Sequence, residues 1–91
     1  MAEVTIKLPS PLSRLAGRAE LRVEGATVGA ALQALDSVAP GVRDRICDEH
    51  GEVRQHVLVF VNGTNIRELA GVKTALVGGE TLVVFPAVSG G

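Results

Sequence analysis

No tryptophan and no tyrosine occur in this 91-residue chain, and Phe60 and Phe85 are its only aromatics. A base-stacking platform needs rings set among cations, so single-stranded nucleic-acid binding of that kind is excluded. Aliphatic side chains must then build the core, and an apolar content of 46% supplies the material. A lone cysteine, Cys47, rules out an internal disulfide and points to a reducing, cytoplasmic setting. Charge of neither sign dominates: the net value is -1, which argues against a general phosphate-backbone binder. No run approaches the ~18 continuous apolar residues of a membrane span, and Met1-Ala2-Glu3-Val4 lacks the basic-then-apolar opening of a signal peptide. Neither nucleic acid nor membrane is an expected partner.

What is present alternates. Val4, Ile6 and Leu8 are interleaved with Thr5 and Lys7, the period of two of a half-buried strand. Pro9 and Pro11 stop it. Ala19, Leu21 and Val23 alternate with Glu20, Arg22 and Glu24, which predicts a second strand joined to the first as an antiparallel hairpin with a longer loop. Gly25-Ala26 breaks this strand, and Thr27 is placed to cap a helix. Val28, Ala31, Leu32, Leu35 and Val38 follow at helical spacing, one apolar stripe closed by Pro40-Gly41. Val42 and Ile46 suggest one further turn. Cys47 to Gln55 is polar and reads as an exposed loop. His56 to Val61 is a β-branched strand, and Asn62-Gly63 a tight turn. Ile66 marks a short returning strand, Gly71 to Leu76 a brief helical turn, Gly78-Gly79 another turn, and Thr81 to Phe85 the last strand. One helix covers one face of a sheet, so the order predicts an α+β roll of the β-grasp, or ubiquitin-like, type: a domain over 1–85 with a Gly-Gly tail over 86–91.

Several side chains invite chemistry and do not support it. Asp48 and Glu49 beside Cys47 disfavour a thiolate, so an incidental or part-buried cysteine is expected there. His50 and His56 have no partners at a zinc spacing, so no metal site is expected. Gly78-Gly79 has no following Lys-Ser/Thr and is no phosphate loop. Ser10 and Ser13 lack a recognisable base. The last two strands differ. If Val57, Val59, Val61, Leu82 and Val84 meet the helix, then Leu58, Phe60, Val83 and Phe85 face outward. Contiguous exposed apolar groups mark partner surfaces, and these four are the candidate docking residues. Leu12 and Leu15 folding over part of that patch is the structural alternative.

The chain closes on Val88-Ser89-Gly90-Gly91. Glycine has no Cβ and adds no packing, so a domain gains no stability from this ending. A terminal carboxylate on a thin tether is suited to threading into another protein's narrow site; a frayed terminus is the other reading. The strand order, Val61-Asn62-Gly63 closing the third strand, and Phe85-Pro86-Ala87-Val88-Ser89-Gly90-Gly91 together resemble the ubiquitin-like sulfur carriers of the MoaD, ThiS and CysO type. The resemblance covers essentially the whole chain. Its length and its 47–55 loop are more similar to the molybdopterin and cysteine carriers than to the shorter thiamine carriers. In the molybdopterin subunit a second phenylalanine commonly precedes the Phe-Pro pair, where this chain has Val84.

The resemblance implies a sulfur carrier that is a co-substrate, not an enzyme, and that binds no cofactor of its own. A ubiquitin-activating-type enzyme would use ATP to adenylate the Gly91 carboxylate. A sulfur donor, with a sulfurtransferase as a candidate, would convert the adenylate to a thiocarboxylate. A biosynthetic enzyme of cysteine, molybdopterin or another sulfur metabolite would accept the sulfur. Gly90, Ser89 and Val88 would thread the tail. The alternatives are a ubiquitin-like modifier conjugated through Gly91 and a plain β-grasp interaction module with an inert tail.

Overall fold

The structure is a computed structural model and describes residues 2–86. Five strands form one mixed sheet in the order β2-β1-β5-β3-β4: β1 Glu3–Lys7, β2 Glu20–Glu24, β3 Val57–Val61, β4 Thr64–Asn65 and β5 Thr81–Pro86. β1 and β2 pair antiparallel, Thr5 opposite Arg22. β5 lies between β1, to which it is parallel, and β3, to which it is antiparallel. The longest helix, α2 (Val28–Val38), covers one face, flanked by the short α1 (Leu12–Ala16) and α3 (Val42–Ile46). This is the α+β, β-grasp architecture that the strand order predicts.

Thr27 caps α2 as expected, its hydroxyl accepting from the Ala30 amide at 3.1 Å. Val28, Ala31, Leu32 and Leu35 are buried beneath it, against Val4, Ile6, Val59, Leu82 and Val84. The fully buried set is entirely aliphatic, and neither phenylalanine belongs to it. Asn62 and Gly63 both take positive φ, 48° and 90°, the pairing a two-residue hairpin turn requires.

Five readings of the sequence are corrected. Val38 is 51% exposed, because the stripe reaches the end of α2 beyond the sheet's cover. Ile66 does not continue a strand: β4 ends at Asn65, whose side chain accepts from the Arg67 amide and turns the chain into a 3-10 segment, Ile66–Glu68. Residues 9–17 contain a helix rather than a plain loop. The Pro11 carbonyl accepts from the Arg14 and Leu15 amides, and Gly17 ends the turn at φ 80°, the proline-start and glycine-stop asymmetry of short helices. Residues 47–55 are not a plain exposed loop: Cys47, read as incidental or part-buried, is buried and pairs with Val53 across a compact turn. The Asp48 carboxylate organises that turn, accepting from the His50 and Glu52 amides at 2.8 and 3.1 Å. Val61, expected against the helix, is only partly buried at the rim of the core.

Gly25 does more than interrupt β2. A Cβ there would stand 2.5 Å from the Ala31 backbone nitrogen and 2.8 Å from its Cα. Both are helix backbone atoms, so α2 itself would have to shift. Gly25→Ala is expected to lower stability by ~1–3 kcal/mol, the usual cost of overpacking. Urea unfolding should show a lower midpoint with an unchanged slope.

Candidate docking face and tail base

The open face of the sheet is built from the residues that alternate outward. Register sets Phe60 beside Val83 and Leu58 beside Phe85, and such cross-strand partners share a face. Phe60 and Phe85 are diagonal neighbours, their ring centroids 5.6 Å apart and their planes at 85°, the edge-to-face geometry that ring quadrupoles favour. Leu58, Phe60 and Val83 are half-buried, and Phe85 is 46% exposed. The structure thus brings all four candidate docking residues into one patch on the face away from α2.

Its borders are polar. Lys7 stands beside Val83 across the parallel pair, and Asn65 beside Phe60. The far half of the same face is charged, with Glu20, Arg22 and Glu24 of β2. The open face is therefore an apolar half on β3 and β5 next to a charged half on β1 and β2. Leu12 packs against the buried core and lines one cavity with Phe85, at the edge of the patch. Leu15 lies toward Gly41, whose Cβ would meet its Cδ2 at 3.8 Å.

The patch ends where the tail begins. β1 pairs with β5 only as far as Lys7–Val83, while β3 holds β5 through the Val57–Pro86 pair. β5 therefore includes Pro86, the first residue assigned to the tail from sequence, and a central strand sets the direction in which the chain leaves the domain. Val88, Ser89, Gly90 and Gly91 lie outside the described residues.

Two structural supports near this site gave little sequence signal. The Glu80 carboxylate accepts from the Val77 and Gly78 amides at 2.8 and 2.7 Å. It ties down the Gly78-Gly79 turn that feeds β5. These hydrogen bonds favour the charged form and hold the acid below its ordinary value, against the opposing effect of burial. A depressed acid contributes stability above its unfolded pKa of about 4.3, and that contribution is lost as pH falls through the folded value. Glu80→Gln is expected to be less stable than the parent at neutral pH, with the gap narrowing below about pH 4.3. Denaturation midpoints across pH check this; a constant gap would remove the charge from the explanation. The second support is Arg67, whose Nη2 donates to the carbonyls of Arg54, Gln55 and Val57 at 3.2, 3.4 and 3.1 Å, fixing the entry to β3. Only the Gly-Gly-Glu run could have hinted at the first, and no sequence spacing signals the second.

The remaining chemical candidates stay apart. Burial is the main cause that pushes the Cys47 thiol up; Asp48 and Glu52 add to it, while Arg43 and Arg54 oppose it. Of the acidic neighbours seen in the sequence, Asp48 acts on the thiol and is secondary to desolvation. His50 Nε2 lies 3.6 Å from the Glu49 carboxylate on the surface, and His56 is exposed. Among the described residues no three His, Cys, Asp or Glu side chains gather as metal ligands, and no helix is long and apolar enough to cross a membrane.

This architecture recurs in known proteins. The profile described as the ThiS family matches residues 6–91. The sulfur carrier protein CysO of Mycobacterium tuberculosis is 30% identical, with 97% of this chain and 98% of that protein covered. Small archaeal modifier protein 1 of Haloferax volcanii is 39% identical over 93% of this chain and 97% of its own. A crystal structure of the Amycolatopsis orientalis BexX/CysO complex contains a chain that superposes with a TM-score of 0.88 at 29% identity, covering 97% of this chain and 99% of that one. The chain belongs to the ThiS family of ubiquitin-like β-grasp proteins, small partners that act as substrates of other enzymes and are not themselves catalysts.

Proposed function

We propose that this protein is a sulfur carrier whose Gly91 carboxylate is activated and converted to a thiocarboxylate. One observation carries the reading: the family match runs through β5 and on to Gly91 itself. The similarity to CysO supports sulfur as the cargo. A carboxylate is a poor electrophile. Attack of its oxygen on the α-phosphate of ATP, with pyrophosphate leaving, gives an acyl-adenylate. A sulfide-equivalent nucleophile then adds to the carbonyl carbon, a C–S bond forms, and AMP departs with the C–O electron pair. The resulting thiocarboxylate is a soft nucleophile that delivers sulfur inside an acceptor enzyme. Both the ATP and the catalytic groups belong to partners. This chain contributes the reacting carboxylate, the slim Ser89-Gly90-Gly91 tether and the Leu58–Phe60–Val83–Phe85 patch that holds it in place. That CysO has been captured with BexX supports docking of this fold on another protein. The acceptor is accordingly read as a biosynthetic enzyme.

The test supplies the purified chain with ATP, a sulfide source and a cognate activating enzyme. Intact mass should rise by the difference between sulfur and oxygen, with the label confined to the C-terminal peptide, and Cys47→Ser should react at the parental rate. Sulfur on Cys47 with an unmodified tail would overturn the proposal. The likeness to the Haloferax modifier supports a second reading, an isopeptide from Gly91 to target lysines. It predicts large covalent adducts in cells that resist thiol reduction.

A further inference from the structure

β2 closes one side of the sheet, and no strand lies along its outer edge. The hydrogen bonds to β1 show which of its backbone groups are free. The Leu8 amide donates to the Ala19 carbonyl at 2.7 Å, and the Gly25 amide to the Ala2 carbonyl at 2.9 Å. Antiparallel pairs alternate between bonded and non-bonded, so in this register Leu21 and Val23 are the β2 residues bonded to β1. Glu20, Arg22 and Glu24 therefore turn their N–H and C=O groups outward. Among the described residues no backbone group meets them there. Sheet edges are commonly blunted by proline, lysine or a bulge. β2 contains neither residue, and its register with β1 is unbroken.

We propose that this edge is a self-association surface, on which a second copy of the chain pairs its own β2 antiparallel, Glu20 opposite Arg22, about a two-fold axis at Leu21.

Charge selects both the occupant and the register. Arg18, Glu20, Arg22 and Glu24 alternate in sign at every second position. All four are exposed, and among the described residues none takes part in an ion pair. Setting Glu20 opposite Arg22 of an identical antiparallel strand also sets Arg22 opposite Glu20, and Arg18 opposite Glu24 in both directions. Each charge then meets its opposite. A slip of one residue on each strand sets Arg22 opposite Arg22 and Glu20 opposite Glu24, and like charges directly opposite are destabilising. The favoured register also joins residues whose backbone groups both point outward, so each Glu20–Arg22 pair exchanges two hydrogen bonds. It brings a cation to Glu24, which in the single chain stands beside Glu3.

Packing points the same way. Two hollows of about 350 and 300 Å³ run along this edge, and both are lined by Arg22 and Val38. Leu21 shares the first of them with Val38. An axis at Leu21 therefore sets each Val38, exposed at the end of α2, toward the other copy. The pair is isologous and closes on itself. β1 separates this edge from β5 and β3, so the apolar patch of each copy stays open.

The test is sedimentation equilibrium of the full chain up to about 1 mM, a range that populates even weak pairs, with amide exchange as the second readout. The parent should form a dimer. Its Glu20 and Arg22 amides should gain protection as concentration rises, while those of Leu21 and Val23, already bonded to β1, should not. Glu20→Arg and Arg22→Glu each turn two attractive pairs repulsive, and each should weaken self-association at least ~10-fold. An equimolar mixture of these two variants should recover a heterodimer, because every facing pair in it is again of opposite sign. Both sites are exposed, so melting of each variant should stay near that of the parent. A parent chain that stays monomeric overturns the proposal. Self-association that survives both reversals overturns it too, as does a mixture of folded variants that fails to pair. None of these outcomes depends on the chemistry at Gly91.

Discussion

Gly91→Ala is expected to slow adenylation by about 10²-fold, the scale on which small misplacements of reacting atoms act, while affinity for the activating enzyme stays near the parental value. The reason is the division of labour that the proposed function assigns within the chain: binding energy from the sheet face, where Leu58, Phe60, Val83 and Phe85 lie together, and chemistry at the Gly91 carboxylate. A methyl group on the last residue crowds the carboxylate, whose oxygen must attack the α-phosphate in line with the departing pyrophosphate. It also narrows the conformations of a tether whose use depends on having no side chain. Pyrophosphate exchange reads the chemical step and titration calorimetry the affinity. Equal losses in both would mean that the tail contributes most of the binding. No loss in either would favour the inert-tail module.

The opposite separation is expected at the rings. Phe85→Ala and Phe60→Ala should each cost ~2 kcal/mol or more of partner binding, as interface aromatics do when truncated. Their cost to folding should be smaller. Phe85 is 46% exposed and Phe60 half-buried, and neither belongs to the aliphatic set that fills the core. What folding loses is mainly the edge-to-face pair, worth about 0.5–1.5 kcal/mol, well below the ~3–5 kcal/mol of a fully buried phenylalanine. The two rings are in contact, so the double variant should lose less than the sum of the singles. Melting and affinity measured on the same variants decide the matter. If both single variants unfold, the rings support the core and the docking surface lies elsewhere.

Legibility followed the range over which each signal acts. Strand alternation placed Leu58, Phe60, Val83 and Phe85 on one face without knowledge of any neighbour, because successive strand side chains point to opposite sides. Thr27 and Asn62-Gly63 were equally readable, since a cap and a tight turn depend on two or three adjacent residues. The compact turn after Cys47 was not. Asp48 closes it by accepting from the His50 and Glu52 amides, and a polar composition conceals that. Val38 failed for the converse reason: helical spacing gives the stripe but not where the sheet under it ends.

The sequence alone determined the kind of protein this is. Periods of two and 3.6, a single capped helix, glycine turns and the Phe-Pro to Gly-Gly ending are local patterns, and together they admit one strand order and one resemblance. The tertiary structure decided everything that depends on distant residues meeting. It set β5 between β1 and β3, so that a central strand leads to the tail, and stacked Phe60 edge-on to Phe85 from strands more than twenty residues apart. It also required Gly25 to lack a side chain because α2 passes within 3 Å, and it opened a cavity between the Pro9–Leu12 turn and the end of β5. Such features arise from the packing of whole elements against one another, and close packing fixes positions that no short window of sequence encodes.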